Sequence, residues 1–227
     1  MSTTEVQGGP QFAYGPKIEL DGVRDLFEGD FEVKPYTPPE TGIDNLGIRS
    51  VDEFRVPAMG DEPIVVEFRG WVRVIRSQPT TDDWKTTEVY TNLVEMCMKG
   101  SCDELGEITV RLQPEILSTG CINTPYDGDD LDSDTPDKAC RMAVACEFDV
   151  PKLGKKLFNK EPVELTIDEV RSIPPAGNPG RGQIYRRLPL YDREDPQGRP
   201  VAFLTSLNFA MGVYLPQTEV EALTGAS

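Results

Sequence analysis

Residues 64–76 read IVVEFRGWVRVIR, and this stretch decides the fold class. Apolar side chains recur at every second position, and charged side chains stand between them. A period of two is typical of a strand with one buried face, whereas a helix repeats about every 3.6 residues. We therefore predict a strand whose inward face carries Ile64, Val66, Phe68, Gly70, Val72 and Val74.

Two residues of this strand depart from the simple pattern. Gly70 stands in its middle, which predicts a bulge or a close approach of another backbone. Trp71 falls on the charged face. We therefore expect that face to be partly covered.

Further strands follow from alternation and from enrichment in β-branched and aromatic residues. We predict them over residues 84–96, 107–112, 140–150, 162–173, 183–191 and 200–215, with a polar loop over 113–137. In the last strand, one face is predicted to carry Val201, Phe203, Leu207, Phe209, Met211, Val213 and Leu215. With no long helix and no βαβ alternation, the chain is predicted to be mainly β, an antiparallel β-sandwich or open barrel.

The domain organisation is predicted from composition. Residues 1–62 form an extended Pro/Gly-rich N-terminal arm, 63–216 the β-sandwich domain, and 217–227 a tail with a short helical turn. Burial of the arm's aromatic rings must offset the entropy lost on ordering it. Residues 12–20 and 48–56 are therefore expected to lie as short strands against the domain or a neighbouring copy, joined by a connector over 35–42.

Charge and composition exclude several functions. The net charge of −16, from 39 acidic and 23 basic residues, disfavours binding to nucleic acid and to anionic membranes. It fits simple solubility or attraction to basic partners. The chain has no histidine, which excludes Ser-His-Asp and Cys-His nucleophiles and imidazole zinc sites. We predict that the protein is not an enzyme.

The location of the protein is predicted from what its sequence lacks. No run approaches a membrane span, and the polar N-terminus does not read as a signal peptide. The five cysteines fit a reducing compartment. The protein is therefore expected in the cytoplasm, or exported without a recognisable signal peptide.

The part of the chain from residue 84 onward resembles a family of bacterial β-rich proteins of unknown function. The resemblance is carried by LGEITVRL at 105–112, by residues 140–154, by IPPAG at 173–177 and by the closing hairpin to residue 215. It covers about the C-terminal 60% of the chain, leaves out the N-terminal segment, and implies no activity.

An acidic loop is the sharpest chemical feature of the sequence. Hard cations such as Ca²⁺ prefer oxygen ligands, and aspartates at turn spacing supply them. A calcium site is one interpretation, and a solvated acidic loop is the other. The candidate ligands are Asp127, Asp129, Asp130, Asp132 and Asp134; no other cofactor is expected.

The cysteines and a group of basic residues each allow two interpretations. Cys140 and Cys146 are predicted to be small core residues, while Cys121 is either a free thiol or bonded to a neighbour such as Cys102. The basic residues either bind an anion or an acidic partner, or are simply solvated. They are Lys152, Lys155, Lys156, Lys160, Arg181, Arg186 and Arg187.

Three functions follow, in order of preference. The first is a non-enzymatic structural subunit that assembles through protein–protein contacts with copies of itself or another protein. The second is a ligand- or carbohydrate-binding β-module that uses Trp71, Trp84 or Tyr90 as a stacking platform. The third is a hydrolase that depends on carboxylates or a metal, which would need two converging carboxylates in a deep pocket.

Overall fold

The computed structural model describes residues 42–81, 86–125, 139–168, 170, 179–184 and 187–214. Every strand pairing in this part of the chain is antiparallel. The prediction of a mainly β, antiparallel fold is confirmed. The strands are β1 Ile43–Arg55, β2 Pro63–Arg76, β3 Thr80–Thr81, β4 Thr86–Cys102, β5 Gly106–Leu112, β6 Ser118–Pro125, β7 Ala139–Val144, β8 Cys146–Val150, β9 Lys155–Asn159, β10 Val163–Asp168, β11 Pro179–Gln183, β12 Leu188–Asp192 and β13 Ala202–Tyr214.

The sheet closes on itself to form a barrel. Its path runs β1-β2-β4 and then through the shorter strands to β13, which pairs back onto β1. β4 pairs with β5 through one half and with β6 through the other, and β13 divides in the same way between β12 and β11. The short strands therefore lie end to end as β5/β6, β7/β8, β9/β10 and β11/β12. Four long strands plus four such pairs make eight positions around the barrel.

Alternation along β2 fills the barrel, as the sequence predicts. Val66, Phe68 and Val72 are completely buried. Gly70 meets the predicted close approach, because a Cβ atom built there would lie 2.0 Å from the carbonyl oxygen of Cys97 on β4. Trp71 points to the outer face and is nevertheless only 2% exposed, with the Arg73 guanidinium 5.6 Å from its ring centroid. The expected partial cover of that face is therefore confirmed at Trp71.

The buried side chains of Gln113 and Asn159 form hydrogen bonds around Ala145, where β7 ends and β8 begins. The side-chain amide of Gln113 donates to the carbonyl oxygens of Asn159 at 2.6 Å and Cys146 at 3.1 Å. Asn159 Oδ1 accepts from the N–H of Cys146 at 2.7 Å, and its Nδ2 donates to the carbonyl of Glu161 at 2.7 Å. These bonds satisfy backbone groups that the interrupted ladders leave without strand partners.

The face assignment of the last strand is correct for residues 207–211 and wrong for residues 201–204, while the side chains of Val213 and Leu215 lie outside the described part of the chain. Leu207, Phe209 and Met211 line the interior as predicted. Ala202 and Leu204 are buried, however, where the prediction placed Val201 and Phe203. The register against β1 shifts where Glu53 pairs with Ser206 and Phe54 with Leu204, which leaves Thr205 as an extra residue. Such a bulge moves every later side chain to the opposite face.

Other strand predictions need correction because long-range pairing overrides the local pattern. The predicted loop over 113–137 contains β6, which lies between β4 and β7. The predicted strand over 140–150 is interrupted at Ala145. β9 and β11 were not predicted. Residues 48–56, by contrast, lie as a strand against the domain as predicted, and they belong largely to β1, which pairs with both β2 and β13. Residues 12–20 lie outside the described part of the chain.

The first prediction concerns the amide bridge. Asn159→Ala should lower the free energy of unfolding by roughly 2–4 kcal/mol, since it leaves several buried backbone groups unpaired. Urea unfolding measures this change. The matched control is Asn208→Ala, because the Asn208 amide bonds the Ser206 hydroxyl at 3.1 Å in a half-buried position. Equal effects of the two substitutions would contradict the role given to Asn159.

The second prediction separates β1 from the segment before it. Deleting residues 1–47 removes the first five residues of β1, among them Leu46, which is 1% exposed. Loss of this burial and pairing should lower the melting temperature by roughly 5–15 °C. Deleting residues 1–41 leaves β1 whole and measures the contribution of those residues alone. An unchanged melting temperature after the longer deletion would show that the start of β1 does not support the barrel.

Candidate functional site

The barrel encloses a cavity of about 40 Å³. Its wall is apolar apart from a few side chains, and it includes four methionines contributed by β4, β7 and β13. Methionine is unbranched and adapts readily to different neighbours. The lining residues are Ile48, Ser50, Asp52, Val72, Leu93, Met96, Met98, Val110, Met142, Val144, Cys146, Phe148, Val163, Leu165, Leu207, Phe209 and Met211.

Asp52 is the carboxyl group of this cavity. It lies on the inward face of β1 and is only 4% exposed. Burial raises the pKa of Asp52 to about 8, and a hydrogen bond with Ser50 opposes this rise only in part. The oxygen Oδ1 has no hydrogen-bond partner among the described residues. Near neutral pH the side chain is therefore mostly a neutral carboxylic acid with one oxygen left for another group.

Two buried thiols inside the barrel are unreactive, and one buried hydroxyl there lacks a hydrogen-bond partner among the described residues. Burial raises the pKa of the Cys146 thiol to about 12, with the Asp52 charge as a second cause, and burial also raises the pKa of Cys140 to about 12. Both thiols stay protonated and are poor nucleophiles. The Thr91 hydroxyl, on the inward side of β4, lacks a partner in the described part of the chain.

A larger groove of about 530 Å³ lies between β4 and the segment that joins β5 to β6. Two polar atoms on its wall, Trp71 Nε1 and Asn92 Oδ1, are buried without a hydrogen-bond partner among described residues. Leu93 and Met96 line both the groove and the interior cavity. The lining residues of the groove are Trp71, Asn92, Leu93, Val94, Glu95, Met96, Cys97, Lys99, Arg111, Leu112, Gln113, Pro114, Ile116, Leu117 and Ser118.

Of the three residues predicted as alternatives for a stacking platform, Tyr90 alone among the described ones has an exposed ring, so the platform stays a prediction. Trp71 is too deeply buried to present an open ring. Tyr90 is 56% exposed and its hydroxyl donates to Glu88 at 3.0 Å. Trp84 lies outside the described residues.

The candidate calcium ligands Asp127, Asp129, Asp130, Asp132 and Asp134 lie outside the described residues too, so the calcium site stays a prediction. Within the described ranges, no group of three or more His, Cys, Asp or Glu side chains could hold a metal ion. All five cysteines are free thiols. Cys140 and Cys146 are buried, which confirms that they are core residues.

Several members of the basic group have partners on this chain. Lys155 pairs with Asp192, and Arg187 pairs with Asp61 at 3.3 Å. Lys160 lies over the Tyr191 ring, 3.7 Å from its centroid. The positive charges of Lys155, Arg187 and Lys160 therefore already have partners within the chain. Arg186 lies outside the described residues.

Asp52 was not among the residues singled out from the sequence, although a signal for it exists. Residues 48–56 read IRSVDEFRV, in which Asp52 shares its face with Ile48, Phe54 and Val56. A lone acid on an otherwise largely apolar strand face predicts a buried carboxyl group. The groove has no comparable local signal, because residues from two distant parts of the chain form it.

Comparisons with known proteins place the chain in a family. A structure described as "Structure of DynF from the Dynemicin Biosynthesis Pathway of Micromonospora chersina" matches with a TM-score of 0.72 and 56% identity. The match covers 91% of this chain and 96% of that one. No curated protein sequence matches. Within the described residues, no helix has the length and apolar character to cross a membrane. The profile of a family of unknown function, DUF6073, matches residues 2–221, so the family resemblance extends well beyond the C-terminal 60% and takes in most of the N-terminal segment. The chain belongs to this family of unknown function, DUF6073.

Proposed function

We propose that this protein is a small-molecule-binding barrel that holds an apolar compound in its interior without catalysing a reaction. The observation that carries the proposal is the Asp52 carboxyl group, which lies inside an apolar cavity with one oxygen unpartnered. A buried polar atom without a partner costs free energy. A ligand group that bonds this oxygen would recover that cost.

The size of the barrel supports the proposal. Eight-stranded barrels have interiors that side chains just fill or that hold one small ligand. On the scale where one water needs roughly 10–15 Å³, a cavity of about 40 Å³ admits only a few waters. A larger guest therefore requires side chains to move. Met96, Met98, Met142 and Met211 are the ones best suited to do so.

The chemistry of the interior favours binding over catalysis. Asp52 is the sole carboxyl group among the described residues that line the cavity. Burial also raises the pKa of Asp44, but that carboxylate forms an ion pair with Arg76 at 2.6 Å and does not line the cavity. The converging pair that a carboxylate-dependent hydrolase needs is not formed by these two residues.

The comparison with DynF supports a role in handling a small molecule. That protein is described as coming from a biosynthesis pathway. A chain with 56% identity to it and an apolar barrel interior is suited to hold a product or intermediate of such a pathway. We therefore propose that the present protein also acts in a biosynthesis pathway.

Contact with a second copy of the chain is a second proposed function, and one surface feature favours it. Ile75, Tyr90 and Val94 lie around Asn92 on the outer face of β2 and β4, and each is more than 40% exposed. Neighbouring exposed apolar side chains of this kind mark interaction surfaces. Sedimentation equilibrium tests this: a strict monomer at high protein concentration would refute it.

The third prediction tests interior binding with N-phenyl-1-naphthylamine, a neutral apolar probe that fluoresces when it leaves water. Leu207→Trp adds bulk on the inward face of β13 and should weaken binding by about tenfold or more, since it fills part of the cavity. Asn208→Trp adds the same bulk at the neighbouring residue, which does not line the cavity, and should leave binding unchanged. Melting curves verify that both variants fold. No binding by the unmodified protein, or equal affinities of the two variants, would refute the proposal.

The fourth prediction tests the protonation of Asp52. The unfolded chain loses this proton near pH 3.8 and the folded chain near pH 8. The folded state therefore binds the extra proton between these values, and its stability falls as pH rises through this window and levels off above it. Asp52→Asn stays neutral, so its melting temperature should gain on that of the unmodified protein as pH rises from about 5 to about 9.

The control for this measurement is Glu67→Gln, at an exposed position on the outer face of β2. Its melting temperature should run parallel to that of the unmodified protein over the same pH range. Parallel curves for Asp52→Asn as well would show that Asp52 is ionised in the folded chain and would remove the carboxylic acid from the proposed site.

A further inference from the structure

We infer that the groove beside β4 is the lateral entrance to the barrel interior, and that it holds the polar end of an elongated ligand whose apolar part lies inside. This inference rests on the proposed function and adds the path and the chemical class of the ligand to it. The ligand would be a largely apolar molecule that carries one polar group for Asp52 inside the barrel and an uncharged polar group, such as a hydroxyl, at the end that stays in the groove.

The wall of the barrel is interrupted at this groove. Residues 86–93 of β4 pair with β6, and the last of these pairs is Leu93 with Ser118. Residues 97–102 of β4 pair with β5, and the first of these pairs is Cys97 with Arg111. The residues of β4 between these points have no ladder partner on that side in the described sheet, and residues 112–117 have none on β4. Among the described residues, backbone hydrogen bonds therefore do not close the wall over this stretch.

Two irregularities combine to open it. β4 carries an extra residue, because Arg73 pairs with Glu95 while Val74 pairs with Leu93. Opposite, the chain leaves the ladder over residues 113–117, a segment that contains Pro114. The pairing of β4 with β5 stops on one side of these two irregularities, and its pairing with β6 starts on the other side.

The separation between groove and interior is one layer of side chains. Leu93 and Met96 line both spaces. Met96 is flexible and unbranched, so a change of its rotamer moves material out of this layer without breaking backbone hydrogen bonds. The groove and the interior cavity then form one elongated space that leads from the surface to Asp52.

The polar atoms of the groove indicate what its end of the ligand must offer. Trp71 Nε1 is a donor and Asn92 Oδ1 is an acceptor, and both are buried without a partner among the described residues. A hydroxyl group can pair with either atom, since it both accepts and donates, and it remains uncharged. At the rim, Leu117 is 76% exposed and Val94 is 42% exposed, which suits the apolar part of a molecule passing inward.

The test of the entrance is kinetic. Stopped-flow mixing with N-phenyl-1-naphthylamine gives association and dissociation rates for the unmodified protein and for Leu117→Trp. This substitution narrows the groove, because Leu117 lies at its rim. Both rates should fall by about tenfold with the dissociation constant unchanged, since an entrance changes the barrier and not the bound state. Val65→Trp is the control, because Val65 is 56% exposed on β2 and does not line the groove.

The test of the polar end uses a matched pair of competitors, 1-octanol and 1-chlorooctane, which displace the probe. The unmodified protein should favour the alcohol, and Trp71→Phe and Asn92→Ala should each reduce that preference by about fivefold, the typical effect of one hydrogen bond. Melting curves verify folding. Unchanged rates in Leu117→Trp together with an unchanged preference in both variants would refute the inference while leaving interior binding intact. Failure of the probe to bind the unmodified protein would instead refute the proposed function.

Discussion

The ladder between β1 and β13 is the constraint on which the rest of the structure depends. β1 lies between β2 and β13, so that Val51 is opposite Glu67 on one side and Asn208 on the other. This pairing turns a long antiparallel sheet into a closed wall. Closure gives all inward side chains a single shared interior, and it is the reason why Asp52, on the same strand, is surrounded mostly by apolar side chains.

Closure also explains which parts of the fold the sequence could predict. Strands that run without interruption, such as β2 and β5, keep a strict period of two, and their bounds and inward faces follow from local pattern alone. β6 has the sequence STGCINTP, with few apolar residues, and it is a strand because β4 and β7 supply hydrogen bonds on both sides. Nothing within those eight residues records that pairing.

Bulges and breaks set the second limit on prediction from sequence. Thr205 is an extra residue relative to β1, and its hydroxyl donates to the Glu53 carboxylate at 2.6 Å. The position of such a residue depends on the register of a partner more than 100 positions away in the chain, so alternation within β13 does not reveal it. The same holds for the groove: Asp52 leaves a trace in the pattern of its own strand, whereas the gap beside β4 exists only once two distant irregularities face each other.

The irregularities and the proposed function have a common physical basis. A barrel closed by unbroken ladders can admit a molecule from the side only by breaking buried hydrogen bonds, and each of these is costly to leave unmade. Where the ladders are already absent, movement requires only that side chains change rotamer. The amide groups of Gln113 and Asn159 satisfy the backbone at the neighbouring break, which keeps this part of the wall stable while it remains unpaired with β4. The barrel can therefore stay folded around an opening, and the side chains of Leu93 and Met96 are the barrier that a ligand has to displace.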